Sequence, residues 1–258
     1  MSTVIYPSPI FGPVKSRRLG RSLGVNLLPE DGKVCSFDCI YCECGFNEDF
    51  RPKKPMPSRE MVRTELEGRL AAMADAGEAL DALTFSGNGE PTSHPDFDLI
   101  CEDVKALRDK YYPEASVCLL TNATHLAKPR VFEAVLRLDK ACLKLDTVNP
   151  DYIRLVDRPN CPYDVKTVIE RMKACGGRCV VQTMFMKGEW QGQSVDNTTD
   201  EYVLPWVEAV AAIRPSGVDI YTVARETPDK ALVKATMEEL ERIARLVRGR
   251  GISAHTYG

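Results

Sequence analysis

The first sustained apolar run in the chain is Leu23-Gly-Val-Asn-Leu-Leu28, the length of a short strand, and a loop dense in cysteine follows it. A different period begins at Ser58. Val62, Leu66, Leu70 and Met73 recur every three to four residues, which makes one face of a helix apolar and places Ser58 as its N-cap. The alternation then repeats. A strand over 82–86 precedes a helix carrying Phe97, Ile100, Val104 and Leu107, and a strand over 117–120 precedes one with Val131, Val135 and Leu138. Strands over 141–145, 179–185 and 218–221 precede helices marked by Val165, Val168 and Met172, by Val203, Val207, Val210 and Ile213, and by Leu240, Ile243 and Val247.

These are six strand–helix units whose strands are largely apolar runs, so they predict a parallel sheet covered by helices. Six units fall short of the eight in a closed barrel. A partial (β/α)6 barrel of TIM type is preferred to a doubly wound open sheet, which the spacing also allows. In either architecture function belongs at the carboxyl ends of the strands. No repeat, low-complexity stretch or linker marks a boundary, so residues 1–258 read as one domain.

Composition narrows this picture. Over 258 residues the chain is 44% hydrophobic, 28% charged and 7% aromatic, inside the range of folded globular proteins, which argues against disorder. A formal net charge of −3 supplies no global cationic field to recruit nucleic acid or an anionic membrane. No apolar run approaches the roughly 20 residues of a membrane helix, and the start Met1-Ser-Thr-Val-Ile-Tyr-Pro lacks the regions of a signal peptide. The expectation is a cytoplasmic protein without membrane contact. Four of its 10 cysteines, Cys35, Cys39, Cys42 and Cys44, crowd into ten residues, which in a reducing compartment points to metal rather than disulfides.

The loop Cys35-Ser-Phe-Asp-Cys39-Ile-Tyr-Cys42 is a C-x3-C-x2-C motif. Three thiolates closing in one loop hold three irons of a [4Fe-4S] cube and leave the fourth iron open to a reacting ligand. The alternative is a structural zinc site with Cys44 as fourth ligand, although no second C-x2-C knuckle is present. One strand later, Phe85 runs into Ser86-Gly87-Asn88-Gly89-Glu90-Pro91. The two glycines let backbone pass close to a ligand, Glu90 is placed to accept from an ammonium group, and Pro91 stiffens the exit.

Together, Cys35-x3-Cys39-x2-Cys42 with Tyr41 before the third cysteine and the later Gly89-Glu90-Pro91 closely resemble the radical S-adenosylmethionine (SAM) superfamily. The resemblance spans essentially the whole chain and implies a partial (β/α)6 barrel, a [4Fe-4S] cluster and SAM. It also implies reductive cleavage of SAM to a 5'-deoxyadenosyl radical that abstracts hydrogen from substrate, and a one-electron donor such as flavodoxin or ferredoxin. By resemblance, Cys35, Cys39 and Cys42 bind the cluster, Gly87 to Glu90 meet the methionine ammonium, and Tyr41 lies near the adenine. On the same map Thr121 and Asn122 face the ribose or methionine part of SAM, and Lys144 and Asp146 its carboxylate and ribose hydroxyls. Gln182 and Arg225 are further contacts. For each of these four strand-end groups a capping or turn role is the alternative.

The stretch Phe11-Gly-Pro-Val-Lys-Ser-Arg-Arg-Leu-Gly-Arg-Ser-Leu-Gly-Val25 with Phe85–Thr92 looks like small radical SAM proteins related to wyosine-type tRNA base synthases. That suggests RNA, with Lys15, Arg17, Arg18, Arg21, Arg51, Lys53 and Lys54 as a phosphate-binding patch or else a solvated loop. The chain has no cysteine before Cys35, so the second-cluster pattern of the archaeal wyosine enzymes is missing. Cys161, Cys175 and Cys179 would be ligands of an auxiliary cluster or buried small hydrophobes, and Cys101, Cys118 and Cys142 read as core. His94, His125 and His255 sit after strands, where a substrate proton is handled or a loop is merely solvated. Substrate alternatives are a nucleoside in RNA, a peptide or protein as in glycyl-radical activation, and a small metabolite. A non-enzymatic metal-binding module is the rival from another class.

Overall fold

The structure, a computed structural model, describes residues 4–224 and 227–258. Arg225, one of the predicted contacts, lies outside the described residues. An antiparallel hairpin of β1 (Ile10–Ser16) and β2 (Gly20–Val25) opens the chain. Then α1 (Arg59–Asp75), β3 (Ala82–Phe85), α2 (Phe97–Tyr111), β4 (Ser116–Thr121), α3 (Pro129–Leu136) and β5 (Lys140–Lys144) alternate. A short α4 (Pro150–Tyr152) runs into a π-helical turn over Ile153–Asp157, followed by α5 (Val165–Ala174) and β6 (Cys179–Met184). The remainder comprises β7 (Met186–Trp190), β8 (Gln193–Ser194), α6 (Asp200–Ile213), β9 (Gly217–Tyr221), β10 (Leu232–Lys234), α7 (Met237–Arg248) and β11 (Ala254–Tyr257).

Eight strands form one sheet in the order β1-β2-β3-β4-β5-β6-β9-β11, parallel from β2 onward, while β10, β7 and β8 make a small antiparallel sheet. The large sheet curls into a half-barrel with helices outside, the partial barrel expected from the alternation. All six predicted strands are present. The first is displaced, starting at Gly20 because the hairpin pairing with β1 extends it toward the amino terminus, and ending at Val25. Three further parts escaped the pattern: β1, broken by Gly12 and Pro13; β11, a four-residue polar edge; and the small sheet.

The strands have two distinct faces. Leu23, Leu83, Phe85, Val117, Leu119, Leu143, Val181 and Val218 pack with the helices in one apolar core. The alternate residues Ser22, Thr84, Cys118, Cys142, Gln182 and Asp219 face the concave side, and they are small or polar. Closed barrels fill that interior with layers of branched aliphatics. Here it is lined by small and polar groups. Cys118 and Cys142 are buried as expected, but on the concave side. Cys101 lies in the helical core.

The core also fixes the strand end. Trp206 of α6 is fully buried, edge-on to Phe185 at 5.2 Å, and its Nε1 donates to Leu145 O at 2.8 Å. Thr183 Oγ1 donates to the same carbonyl. Leu145 lies between Lys144 and Asp146, so this pair of bonds positions two candidate site residues from behind.

Candidate functional site

The cysteine loop follows β2 and is held by backbone on two sides. Asp38 N and Ile40 N donate to Asp157 O and Val156 O of the π-helical turn, both at 3.0 Å. On the other side Val34 N donates to Asn88 O (2.9 Å) and Glu90 N to Val34 O (3.0 Å), a two-bond parallel bridge to the loop after β3. Cys35, Cys39 and Cys42 are half-buried and close enough for each to feel the others' charge. Burial pushes the Cys35 thiol up to about 12 and raises that of Cys39 well above the ordinary value. The hydrogen bond from Cys44, reinforced by the Lys33 ammonium, holds Cys42 down at about 6.

Lys33, which the sequence reading passed over, is 3% exposed. Its Nζ donates to Gly45 O at 2.6 Å and stands 3.4 Å from Asp38 Oδ1. Burial opposes the ammonium, yet Cys42, Cys35, Cys39 and Asp38 together raise its pKa above the ordinary lysine value. A buried cation beside three thiols offsets the negative charge of a thiolate-bound cluster. Lys33→Met is expected to cost about 1–3 kcal/mol, through the Gly45 carbonyl left without its donor, read by thermal unfolding of the cluster-free chain. The same change removes positive charge near the thiols, so an EPR-monitored titration of the loaded chain should find a more negative cluster midpoint.

These thiols suit a cube better than a single ion. Among the described residues no three His, Cys, Asp or Glu side chains converge as ligands of one metal ion. A cube places its irons apart and takes one thiolate on each. Cys44, the fourth ligand in the zinc alternative, is buried beside Cys42, with its Sγ 3.5 Å from Gly87 O. Asn122 Nδ2 lies 3.6 Å from Cys35 Sγ and 2.9 Å from Ser36 Oγ, so the carboxyl end of β4 supports the first cysteine.

The Gly87–Glu90 segment is shaped by close packing. Gly87 and Gly89 have φ of +134° and +132°, and a Cβ on Gly89 would stand 1.9 Å from Val34 O. Asn88 is 0% exposed, and its amide is spent on Tyr6 N, Tyr6 O and Pro29 O, which ties the amino-terminal segment to the loop. Glu90 is 1% exposed. Its Oε1 accepts from Thr92 N and from the Thr92 and Thr121 hydroxyls, and its Oε2 accepts from Asn122 N at 2.7 Å. Burial raises its pKa against those four bonds. With about two acceptor positions per carboxylate oxygen, Oε2 retains one for an external donor. Pro91 starts the 3₁₀ turn Pro91–Ser93.

At the end of β5 a charged cluster forms. Lys144 Nζ pairs with Asp146 Oδ2 and lies 2.9 Å from Asp157 Oδ1. Tyr41 OH bonds to both Asp146 and Lys144, and the Lys144 ammonium sits 4.6 Å over its ring. Asp157 Oδ1 also faces Cys39 Sγ at 3.7 Å. Burial pushes the Asp157 carboxyl up to about 7 against the pull of Lys144. Asp157 carries no motif in the sequence. Only the π-helical turn brings it here.

The other candidates make different contacts. Gln182 is 7% exposed; it is in register with Lys144 across the strands, but its side chain meets Arg18. Cys175 and Cys179 neighbour each other in the helical core, whereas Cys161 is beside Ser36 O, lining a cavity of about 730 Å³ behind the cysteine loop. The three therefore do not form one ligand set. His94 is buried, with Nε2 against Pro57 O and Nδ1 accepting from Asp96 N, while His125 meets Ser93 and His255 meets Ser253. Much of the predicted basic patch is spent internally: Arg21 pairs with Glu78, Lys54 with Glu30, and Arg17 donates to Gly258 O. No described helix is long and apolar enough to cross a membrane.

Known proteins resemble this chain in sequence and in fold. A family model described as "Radical SAM superfamily" matches residues 30–196. The UPF0026 protein of Synechocystis sp. is 31% identical over 225 residues, 85% of this chain and 77% of its own. A GTPase Obg of Brachyspira hyodysenteriae is 29% identical over 238 residues, 90% of this chain but 32% of its own, so the chain spans about a third of that relative. Among solved structures, a radical SAM methyltransferase from Sphaerobacter thermophilus superposes with TM-score 0.67 at 16% identity, over 92% of this chain and 65% of its own. TYW1 with a lysine-pyruvate adduct bound gives 0.64 at 15%, over 89% and 73%. At these identities the two structures speak for the fold.

Proposed function

The chain belongs to the radical SAM superfamily, whose members use a [4Fe-4S] cluster and SAM, and from that premise we propose that it generates a 5'-deoxyadenosyl radical to abstract hydrogen from a substrate in its half-barrel. The observation that carries this reading is the docking of two loops. The three-thiol loop and the loop of Glu90 share two backbone hydrogen bonds through Val34, so metal ligands and an acceptor for an ammonium group are set side by side.

In this reading Cys35, Cys39 and Cys42 each hold one iron. When bound, the cluster would supply one electron to the sulfonium of SAM, the chemistry by which SAM is cleaved to methionine and the 5'-deoxyadenosyl radical. Glu90 Oε2, with its unused acceptor position, accepts a hydrogen bond from the methionine ammonium, and Thr121 and Asn122 hold the Glu90 carboxylate still. Tyr41, Lys144 and Asp146 open part of their mutual pairing to the carboxylate and ribose of SAM. Lys33 and Lys144 balance the negative charge gathered around the loop. Superfamily members also require an electron donor, and here a flavodoxin or ferredoxin fills that role.

The test is anaerobic reconstitution of the full chain with iron and sulfide, followed by dithionite and SAM. The expected results are 5'-deoxyadenosine by mass spectrometry and a SAM-dependent change in the EPR signal of the reduced cluster. A loaded chain that yields neither would overturn the reading.

A further inference from the structure

The tip of the β1–β2 hairpin folds into the half-barrel. Arg18, on that tip, has its guanidinium 5.0 Å from the centre of the Tyr221 ring and 5.9 Å from that of Tyr257, on β9 and β11. With the Gln182 amide oriented to suit its neighbours, its oxygen accepts from both Arg18 Nη atoms. Across the strands Gln182 is in register with Lys144 on one side and Asp219 on the other, and Met184, Tyr221 and Tyr257 share the next rung but one. Tyr221 lies within reach of the charges of Asp146, Lys144, Arg18 and Cys39.

Two features are left unmatched there. A guanidinium carries five donors, and among the described residues no carboxylate forms an ion pair with Arg18. Asp219 is 3% exposed, with Lys140 Nζ as its ion-pair partner at 3.6 Å and the Tyr257 hydroxyl as a neighbour, yet its Oδ2 accepts no hydrogen bond of normal geometry among the described residues. A buried polar atom without a partner is costly, and a guanidinium stacked on tyrosines is preorganised for a planar or tetrahedral anion.

We propose that the concave face beside the cluster loop binds the anionic end of the substrate, a carboxylate or a phosphate monoester, on Arg18, with Asp219 Oδ2 accepting from a neighbouring N–H or O–H of the same molecule. This rests on the radical SAM reading for what is done to the substrate, not for whether the anion binds. Gln182 then orients the guanidinium. Lys140 supplies a positive charge beside Asp219.

The experiment is a thermal-unfolding titration of the full, anaerobically loaded chain with succinate and, separately, inorganic phosphate, each against chloride at equal ionic strength. At a tenfold excess over Kd the wild type is expected to gain about 3–6 °C over chloride. Arg18→Gln should lose that gain, and Arg18→Lys, which keeps the charge without the fork, should bind about tenfold more weakly. A gain with succinate alone identifies a carboxylate, and with phosphate alone a phosphate monoester. No gain over chloride with either anion, or an equal gain in Arg18→Gln and Arg18→Lys, overturns the site. If Arg18→Gln does not fold, Arg18→Lys carries the test. An Arg18-dependent gain in a chain that forms no 5'-deoxyadenosine sinks the radical reading and keeps the anion site, and the reverse pattern does the opposite.

Discussion

Replacing Cys35, Cys39 and Cys42 together by alanine is expected to strip the reconstituted chain of iron, from about four atoms per chain to near zero, and to reduce 5'-deoxyadenosine to the background without protein. The thiols are the donors that the loop offers, and among the described residues no other group of three ligands converges to replace them. Cys44→Ala is the informative companion. Its thiol neighbours Cys42 and Gly87 O without being one of the three motif ligands, so its loss should cost about 1 kcal/mol and leave iron content unchanged. Iron analysis and optical spectra of the two variants check both statements. Loss of metal from Cys44→Ala equal to that from the triple variant would instead favour a four-cysteine site.

Gly89→Ala is expected to act nearly as strongly without touching a ligand. At φ +132° an L side chain is strained by about 1–3 kcal/mol, and the added Cβ would stand 1.9 Å from Val34 O and 2.5 Å from Val34 C. Backbone must move. The segment that moves links Val34 to Glu90, so the cysteine loop and the ammonium acceptor separate. A displacement of about 1 Å costs on the order of 100-fold in a positioned reaction, so 5'-deoxyadenosine formation should fall by that factor. Unfolding temperature should drop by roughly 2–4 °C per kcal/mol lost. Gly68→Ala is the control: it lies in α1 with nothing within 4 Å of its would-be Cβ, and it should stabilise by about 0.5–1 kcal/mol. A Gly89→Ala chain with wild-type turnover would show that the two loops need not be docked.

The part of the site legible in the sequence was the part carried by spacing. Cys35, Cys39 and Cys42 lie on one loop, and Gly87 to Pro91 lie on another, so a contiguous motif marks each. Lys33, Asp157 and Arg18 carry no such mark. Asp157 reaches Cys39 only because the chain after α4 makes a π-helical turn and lays two carbonyls on the cysteine loop. Arg18 read as one charge in a basic stretch, yet the hairpin turns it inward while Arg21 turns outward to Glu78.

The same division holds for the fold. Apolar periodicity determines six strands and their helices, because each element must bury one face and the buried face sets the period. Local sequence also determines the ligand set, since three thiols within eight residues meet whatever the rest of the chain does. Tertiary structure decided how the sheet is edged, with β1 broken by Gly12 and Pro13 and β11 too short and polar to declare itself alone, and it decided that the concave face would be polar. Thr84, Gln182 and Asp219 read singly as interruptions of apolar strands. Only curling the sheet turns them toward one another, because a side chain's neighbours across strands lie far apart in sequence and are chosen by register.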